Sequence, residues 1–327
     1  MGLDDRSRAA AIVAALGVVY VVWGSTYLGI ALAIETLPPL LMAGTRFLVA
    51  GAILYAASRL VGSGRSARPD RTQWGFAALT GVLMLAVGNG GVSWAQQTVP
   101  SGIAAIVIAS IPLWVVVLDR VAFGARLSWV TAVGVAVGFA GVAVLIDPSA
   151  PDRIDPAGGV ALLAAAFCWA TGTLLSRGER LTVPPLVAAG MQMLCGGVAL
   201  VAAGLVAGEL GDVQTPSWRS ALALVYLVVF GSLLAFSAYA WLLRNTQVSL
   251  VATYAYVNPV VAVLLGAAFL GEAVTTRTLV AGAVILGAVA LIVSARPAPS
   301  AAAAGPTLRA RLRTAGRSRA AAAIRGR

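Results

Sequence analysis

Arg46 is the one charge that lies well inside a long apolar segment of this chain. Counted from Pro38 it stands about eight residues in, or roughly 12 Å of helical rise. An unpaired guanidinium at that depth of a bilayer costs at least about 2.5 kcal/mol, so it must face a cavity or a partner. Two chemistries fit: capture of a carboxylate or other anionic group of a ligand, or a structural bond to carbonyls or to Glu35 near the first hairpin. A second polar set occupies other apolar segments: Trp23, Tyr27, Asn89, Ser93, Trp94, Trp169, Tyr239, Tyr254, Tyr256 and Asn258. Trp and Tyr near span ends usually form an interfacial belt. Trp23, Trp169 and Tyr256 lie away from the nearest end, where a belt does not explain them. Apolar walls with a few placed polar atoms are what an organic-ligand cavity needs. The expected binding set is Trp23, Tyr27, Arg46, Asn89, Trp94, Trp169, Tyr239, Tyr256 and Asn258.

Other chemistry is excluded. The chain has no histidine, and Cys168 and Cys195 sit in apolar segments without a CxxC pair. A zinc site and a His-based triad are therefore ruled out, and the cysteines read as small hydrophobes. An intramembrane lipid-modifying enzyme would need an acid, base or nucleophile cluster at one interface; none is present. No catalytic residue, metal ligand or cofactor is expected.

The elements that carry these residues follow from composition. Of 327 residues, 60 % are hydrophobic and 11 % charged, with a mean hydropathy of +0.91; a soluble domain carries about 25 % charged residues. About 20 apolar residues in helix cross a ~30 Å hydrocarbon core. Ten segments meet that length: 10–34, 38–60, 74–97, 101–122, 128–146, 157–176, 184–207, 219–243, 249–270 and 277–295. The first could pass for a signal peptide, with Ala31-Leu32-Ala33 mimicking a cleavage site. Its apolar run is longer than such a core, and it has a counterpart in the sixth segment, so it reads as a retained spanning helix.

The second half repeats the first. At an offset of 147, Trp94, Pro112 and Gly124 fall on Trp241, Pro259 and Gly271. At 146, Trp23, Pro38-Pro39-Leu40, Gly44, Leu48 and Gly51 fall on Trp169, Pro184-Pro185-Leu186, Gly190, Leu194 and Gly197. Five segments per copy is odd, so the second copy threads the membrane in the opposite sense. Inverted repeats of this kind move small molecules across bilayers. Pro112 and Pro259 read as paired mid-helix bends, each removing a backbone hydrogen bond, which serve either as hinge or gating residues or only as packing geometry. Gly134-x-x-x-Gly138 and Gly204-x-x-x-Gly208 permit close helix contact, internal or between two copies of the chain.

Net charge is +11 and all the basic residues are arginine. With the N-terminus inside, nineteen arginines fall on the inner side and three outside, a decisive positive-inside bias. The domain reading is a cytoplasmic N-terminus (1–9), a first repeat (10–146), a periplasmic linker (147–156), a second repeat (157–295) and a basic disordered cytoplasmic tail (296–327). The tail reads as a segment lying near anionic lipids. It lacks the aromatic interleaving of a nucleic-acid site.

Trp23-Gly24-Ser25-Thr26-Tyr27 with Gly44-Thr45-Arg46-Phe47 resembles the drug/metabolite transporter superfamily, in its ten-helix type built from two EamA domains. Val99-Pro100-Ser101-Gly102-Ile103-Ala104-Ala105, Pro112 and Gly124-Ala125-Arg126-Leu127-Ser128 continue the resemblance. So do Asn258-Pro259 and Leu270-Gly271-Glu272. The likeness covers about residues 12–295. It departs where Gly271-Glu272 is matched by Gly124-Ala125, and where Arg46 is matched by Gln192. It implies an all-α integral membrane protein of ten helices in two inverted five-helix repeats, multi-pass in a bacterial inner membrane with both termini cytoplasmic. The implied task is export of small organic metabolites or drugs by alternating access. Import or exchange on the same fold, and the lipid-modifying enzyme, are the alternatives. The expected partners are a small-molecule substrate and the lipid bilayer, no nucleic acid, and a monomeric or homodimeric state.

Overall fold

The computed structural model describes residues 3–61, 69–125, 127–147, 154–176, 183–246 and 248–294, and among these the chain is helical without a strand. Loop residues 62–68, linker residues 148–153 and the arginine-rich tail lie outside the described residues. The helices are α1 (Leu3–Ala33), α2 (Pro39–Val61), α3 (Arg71–Ala95), α4 (Ser101–Ile108 and Ile111–Phe123), α5 (Trp129–Ile146), α6 (Pro156–Leu175), α7 (Pro185–Val206), α8 (Trp218–Leu242), α9 (Val248–Val251 and Tyr254–Leu270) and α10 (Thr276–Ser294). Among the described residues, nine helices are long and apolar enough to cross a membrane; Tyr254–Leu270 is apolar but shorter.

The inverted repeat is visible in how equivalent helices meet. Along the α2–α7 seam, Leu41 faces Gly204, Gly44 faces Val201, Leu48 faces Gly197, and Tyr55 faces Gly190. One series climbs while the other falls, so the second helices of the two copies run antiparallel. On the α5–α10 seam Gly134 faces Ile292, Gly138 faces Ala288 and Gly141 faces Ile285, again antiparallel. The remaining contacts pair off in the same way: α1 packs on α8 and α9, as α6 packs on α3 and α4. The glycines let these backbones approach closely. Gly134 and Gly138 serve the seam with α10, and Gly204 the seam with α2, so this contact is internal.

Helices α4 and α9 make a fork. Tyr254–Leu270 packs along Ser101–Ile108, whereas Ile111–Phe123 turns onto α6, α5 and α10. The turn in α4 falls at Ala109-Ser110, where Ser110 N donates to Val107 O at 3.0 Å and the regular helical spacing lapses.

Two irregular stretches occupy matching parts of the third helices. Val82–Asn89 of α3 and Leu227–Leu234 of α8 are π-helical. Such bulges are rare and concentrate at functional sites.

Candidate functional site

At the fork lies a cavity of about 100 Å³, walled by α1, α2, α3, α4, α6, α8 and α9. Of the expected set, Trp23, Tyr27, Arg46, Asn89, Trp169 and Asn258 line it. Thr26, Phe47, Leu85, Ile108, Ile111, Phe236 and Tyr254 complete most of the wall. Tyr239 lies one layer back, its ring 5.1 Å from that of Trp23 and 6.0 Å from that of Tyr254. Trp94 points away, 40 % exposed, and Tyr256 packs against the apolar core around Ile103 and Ile106.

Arg46 enters from α2 and is only 3 % exposed. Its Nε donates to Ser232 Oγ at 2.9 Å, and the guanidinium lies 4.8 Å from the centre of the Phe47 ring, a cation–π distance. Nη1 is buried without a partner. Glu35 does not reach it; that carboxylate stands 3.6 Å from Arg219 instead. The π segment of α8 makes the site: it presents Ser232 to Nε, and a Cβ at Gly231 would stand 3.0 Å from Nη2. Glycine leaves the guanidinium its room.

The aromatic wall is built by α1. Trp23 Nε1 donates to Gly231 O at 3.2 Å, and its ring meets Phe236 at 5.3 Å and Tyr254 at 5.1 Å, edge-on. The next residue explains why α1 can come so close: a Cβ at Gly24 would stand 2.6 Å from Val261 Cβ. Opposite, Gly88 in the π segment of α3 admits Trp169, whose Cε3 would be 3.0 Å from a Cβ there.

Two amides differ in their state. Asn258 is 8 % exposed, and with its amide turned so that oxygen and nitrogen exchange places, the orientation its neighbours require, the nitrogen donates to Tyr20 O at 3.1 Å and Tyr254 O at 3.3 Å. Asn89 Oδ1 is buried with no partner. Two residues of the cavity wall therefore carry an unmatched buried atom, the cationic donor Arg46 Nη1 and the neutral acceptor Asn89 Oδ1. Burying such groups unpaired costs about 1–3 kcal/mol each, more for a charge.

The prolines are placed differently from their expected equivalence. Pro259 lies inside Tyr254–Leu270, but the break in α9 comes earlier, at Ala252-Thr253. Pro112 is the second residue of Ile111–Phe123, just after the break in α4. A proline there gives up an N–H that the first turn leaves unpaired in any case. Pro112 restarts a helix; Pro259 sits within one.

The π segments, Thr26, Phe236 and the two helix breaks were beyond reach of residue type and spacing. Within the π segments the sequence signals were glycines, Gly88 and Gly231, whose need for space shows only once neighbours are in place; beside the α4 break it was Pro112.

Comparison with known proteins agrees with this architecture. The EamA-like transporter family matches residues 9–146 and 156–294, one match to each copy. The uncharacterized inner membrane transporter YedA of Escherichia coli is 42 % identical over 280 residues, covering 85 % of this chain and 89 % of YedA. A Salmonella typhimurium protein named "Probable amino-acid metabolite efflux pump" is 28 % identical over 287 residues, covering 82 % and 89 % of the two chains. A solved crystal structure shares the fold, with a TM-score of 0.62 over 87 % of this chain and 98 % of its own, at 22 % identity. The two inverted copies, the apolar helices and the cavity between them are those of a membrane transporter rather than an enzyme: the chain belongs to the EamA-like transporter family.

Proposed function

We propose that this transporter exports small organic solutes that are neutral, zwitterionic or anionic across a bacterial inner membrane, holding them in the cavity beside Arg46. The observation that carries this reading is Arg46 itself: buried, lining the cavity, with Nη1 unpaired and, among the described residues, no carboxylate paired with it. A permanent cation would meet like charge in a low-dielectric space, where repulsion is strong. A carboxylate would gain a charge-assisted hydrogen bond. The names of the relatives, an inner membrane transporter and an amino-acid metabolite efflux pump, support both the membrane and an amino-acid-like cargo. The cavity is smaller than the about 300–1,000 Å³ of drug-sized sites. That supports a small cargo, or a resting form that widens on opening, as alternating access requires.

The test is efflux of a metabolite panel from cells with and without the protein, followed by Arg46→Gln. Loss of one charged hydrogen bond, about 1.5–3 kcal/mol, should weaken anionic cargo roughly tenfold to a hundredfold and neutral cargo little. Robust resistance to quaternary ammonium compounds conferred by the wild-type protein would overturn the charge preference.

The arginine distribution supports cytoplasmic termini and a periplasmic linker. Cysteines introduced at Ser66 and Ser149 should then label from opposite faces of intact cells. Labelling of both from outside would reverse the topology.

A further inference from the structure

The two copies end their fourth helices with the same backbone turn. Gly124 after α4 and Gly271 after α9 both have φ of +67°, a left-handed conformation that glycine adopts without strain. The next amide reaches back to the same place in each: Ala125 N to Asp119 O at 3.4 Å, Glu272 N to Gly266 O at 3.2 Å. The side chains around the turn differ. Where the first copy has Asp119 and Ala125, the second has Gly266 and Glu272.

That exchange has a geometric consequence. Glu272 turns its carboxylate across to the start of α4, accepting from Ser101 N at 2.6 Å and Gly102 N at 3.0 Å. A carboxylate suits a helix N-terminus, where amides lack intrahelical partners and the dipole is positive. Gly266 is what makes room for it, since a Cβ at that position would stand 2.4 Å from Glu272 Oε2. The same end of the fork is closed by backbone proximity, with a Cβ at Gly102 only 3.1 Å from Val263 Cα. Ala125 offers the start of α9 no counterpart, and at that end α4 leans onto α6, α5 and α10 instead.

We propose that Glu272 is a one-sided latch for the transport cycle. It holds the start of α4 against the end of α9, closing the cavity at the Ser101 end, outward in the orientation proposed above. Opening that end breaks both hydrogen bonds, and the opposite end closes without an equivalent bond to form. The protein is therefore biased toward the state closed at Glu272. This rests on transport by alternating access but not on the identity of the cargo.

The experiment reads conformation rather than transport. In a background with Cys168 and Cys195 replaced by alanine, Ile111→Cys places a thiol on the cavity wall at the fork. Labelling by a membrane-impermeant thiol reagent is timed in right-side-out and in inside-out vesicles. Glu272→Gln, which keeps size and removes charge, should raise the ratio of labelling from the Ser101 face to labelling from the other by about tenfold, equivalent to about 1.4 kcal/mol. Ser101→Pro is the second arm. It deletes one latch N–H at the first helical position, where proline is tolerated, and leaves Glu272 untouched; the ratio should move the same way by a smaller factor. The double change Asp119→Gly with Ala125→Glu transplants the pair into the first copy and should shift the ratio in the opposite direction. An unchanged ratio in both Glu272→Gln and Ser101→Pro overturns the latch, whatever happens to efflux. Loss of efflux with a shifted ratio leaves it standing.

Discussion

The first copy carries the buried charge at the cavity and the second carries the carboxylates that cap helices of the first. Arg46 on α2 reaches Ser232 of α8, while its counterpart Gln192 on α7 reaches Thr80 of α3, with Nε2 2.9 Å from the hydroxyl. Both bonds join the second helix of one copy to the third helix of the other, so the scaffold treats them alike. What differs is the destination. Arg46 borders the cavity and keeps an unpaired nitrogen, whereas the neutral Gln192 is tied into the seam. Glu209 follows the same division as Glu272: it belongs to the second copy and caps the first, accepting from Leu40 N at 3.1 Å and Leu41 N at 2.9 Å at the start of α2. The two copies share the packing frame, and these polar contacts fall where their residues differ.

The largest test of that difference is Gly266→Ala. The methyl would stand 2.4 Å from Glu272 Oε2 and 2.8 Å from Ser101 Oγ. It must displace the carboxylate, adding overpacking of about 1–3 kcal/mol to the loss of two charge-assisted hydrogen bonds, about 1.5–3 kcal/mol each. Thermal unfolding of the purified protein should show a fall of many degrees. A melting temperature within a degree of wild type would mean that Glu272 does not hold α4.

A smaller effect separates the prolines. Pro259 removes a hydrogen bond from the interior of Tyr254–Leu270, where proline costs about 3 kcal/mol relative to alanine before neighbours adjust. Pro112 occupies a first turn, where it costs little. Pro259→Ala should raise the melting temperature by a few degrees and Pro112→Ala by less than one. Equal shifts would restore the equivalence that their spacing implies. If either bend serves switching, its alanine variant will also export more slowly at unchanged expression.

The sequence exposed the frame better than the wall of the site. The repeat was legible because Trp, Pro and Gly recur at one offset, and the helices because long apolar runs leave little alternative in a bilayer. Arg46 was legible because a deep charge is expensive. Which way each aromatic points was not. In helices apolar on every side, a face toward the cavity and a face toward lipid have the same composition, so periodicity carries no direction. Trp94 and Trp23 therefore looked alike, yet one is 40 % exposed and the other bonds Gly231 inside. The direction was written instead in small residues: Gly24, Gly88 and Gly231 mark where backbones and large side chains must pass. The π segments add a rotation that no 3.6-residue count would include, and they place Leu85, Gly88 and Asn89 on the cavity wall.

The smallest expected effect concerns Asp155, which also belongs to the second copy's side of the comparison, since the corresponding residue, Ala9, lies within α1 and cannot cap it. Asp155 Oδ2 accepts from Gly158 N at 2.9 Å, capping α6, and from Thr98 Oγ1 at 3.0 Å in the α3–α4 connection. The Gly158 amide first, and then the Thr98 hydroxyl, hold its carboxyl below the ordinary aspartate value. A depressed folded value means that the unfolded chain takes up the proton first as pH falls. The stabilising contribution is thus fully present above the unfolded value near 3.9, and it is lost as pH drops through the folded one. The group is exposed and screened, so the effect is slight at neutral pH. Asparagine caps a helix about as well as aspartate, which makes Asp155→Asn the informative variant. Its melting temperature at pH 7 should match wild type, while the decline on acidification below about pH 4 should be shallower. An identical acid profile would show that the two bonds cap α6 without making its stability depend on the charge.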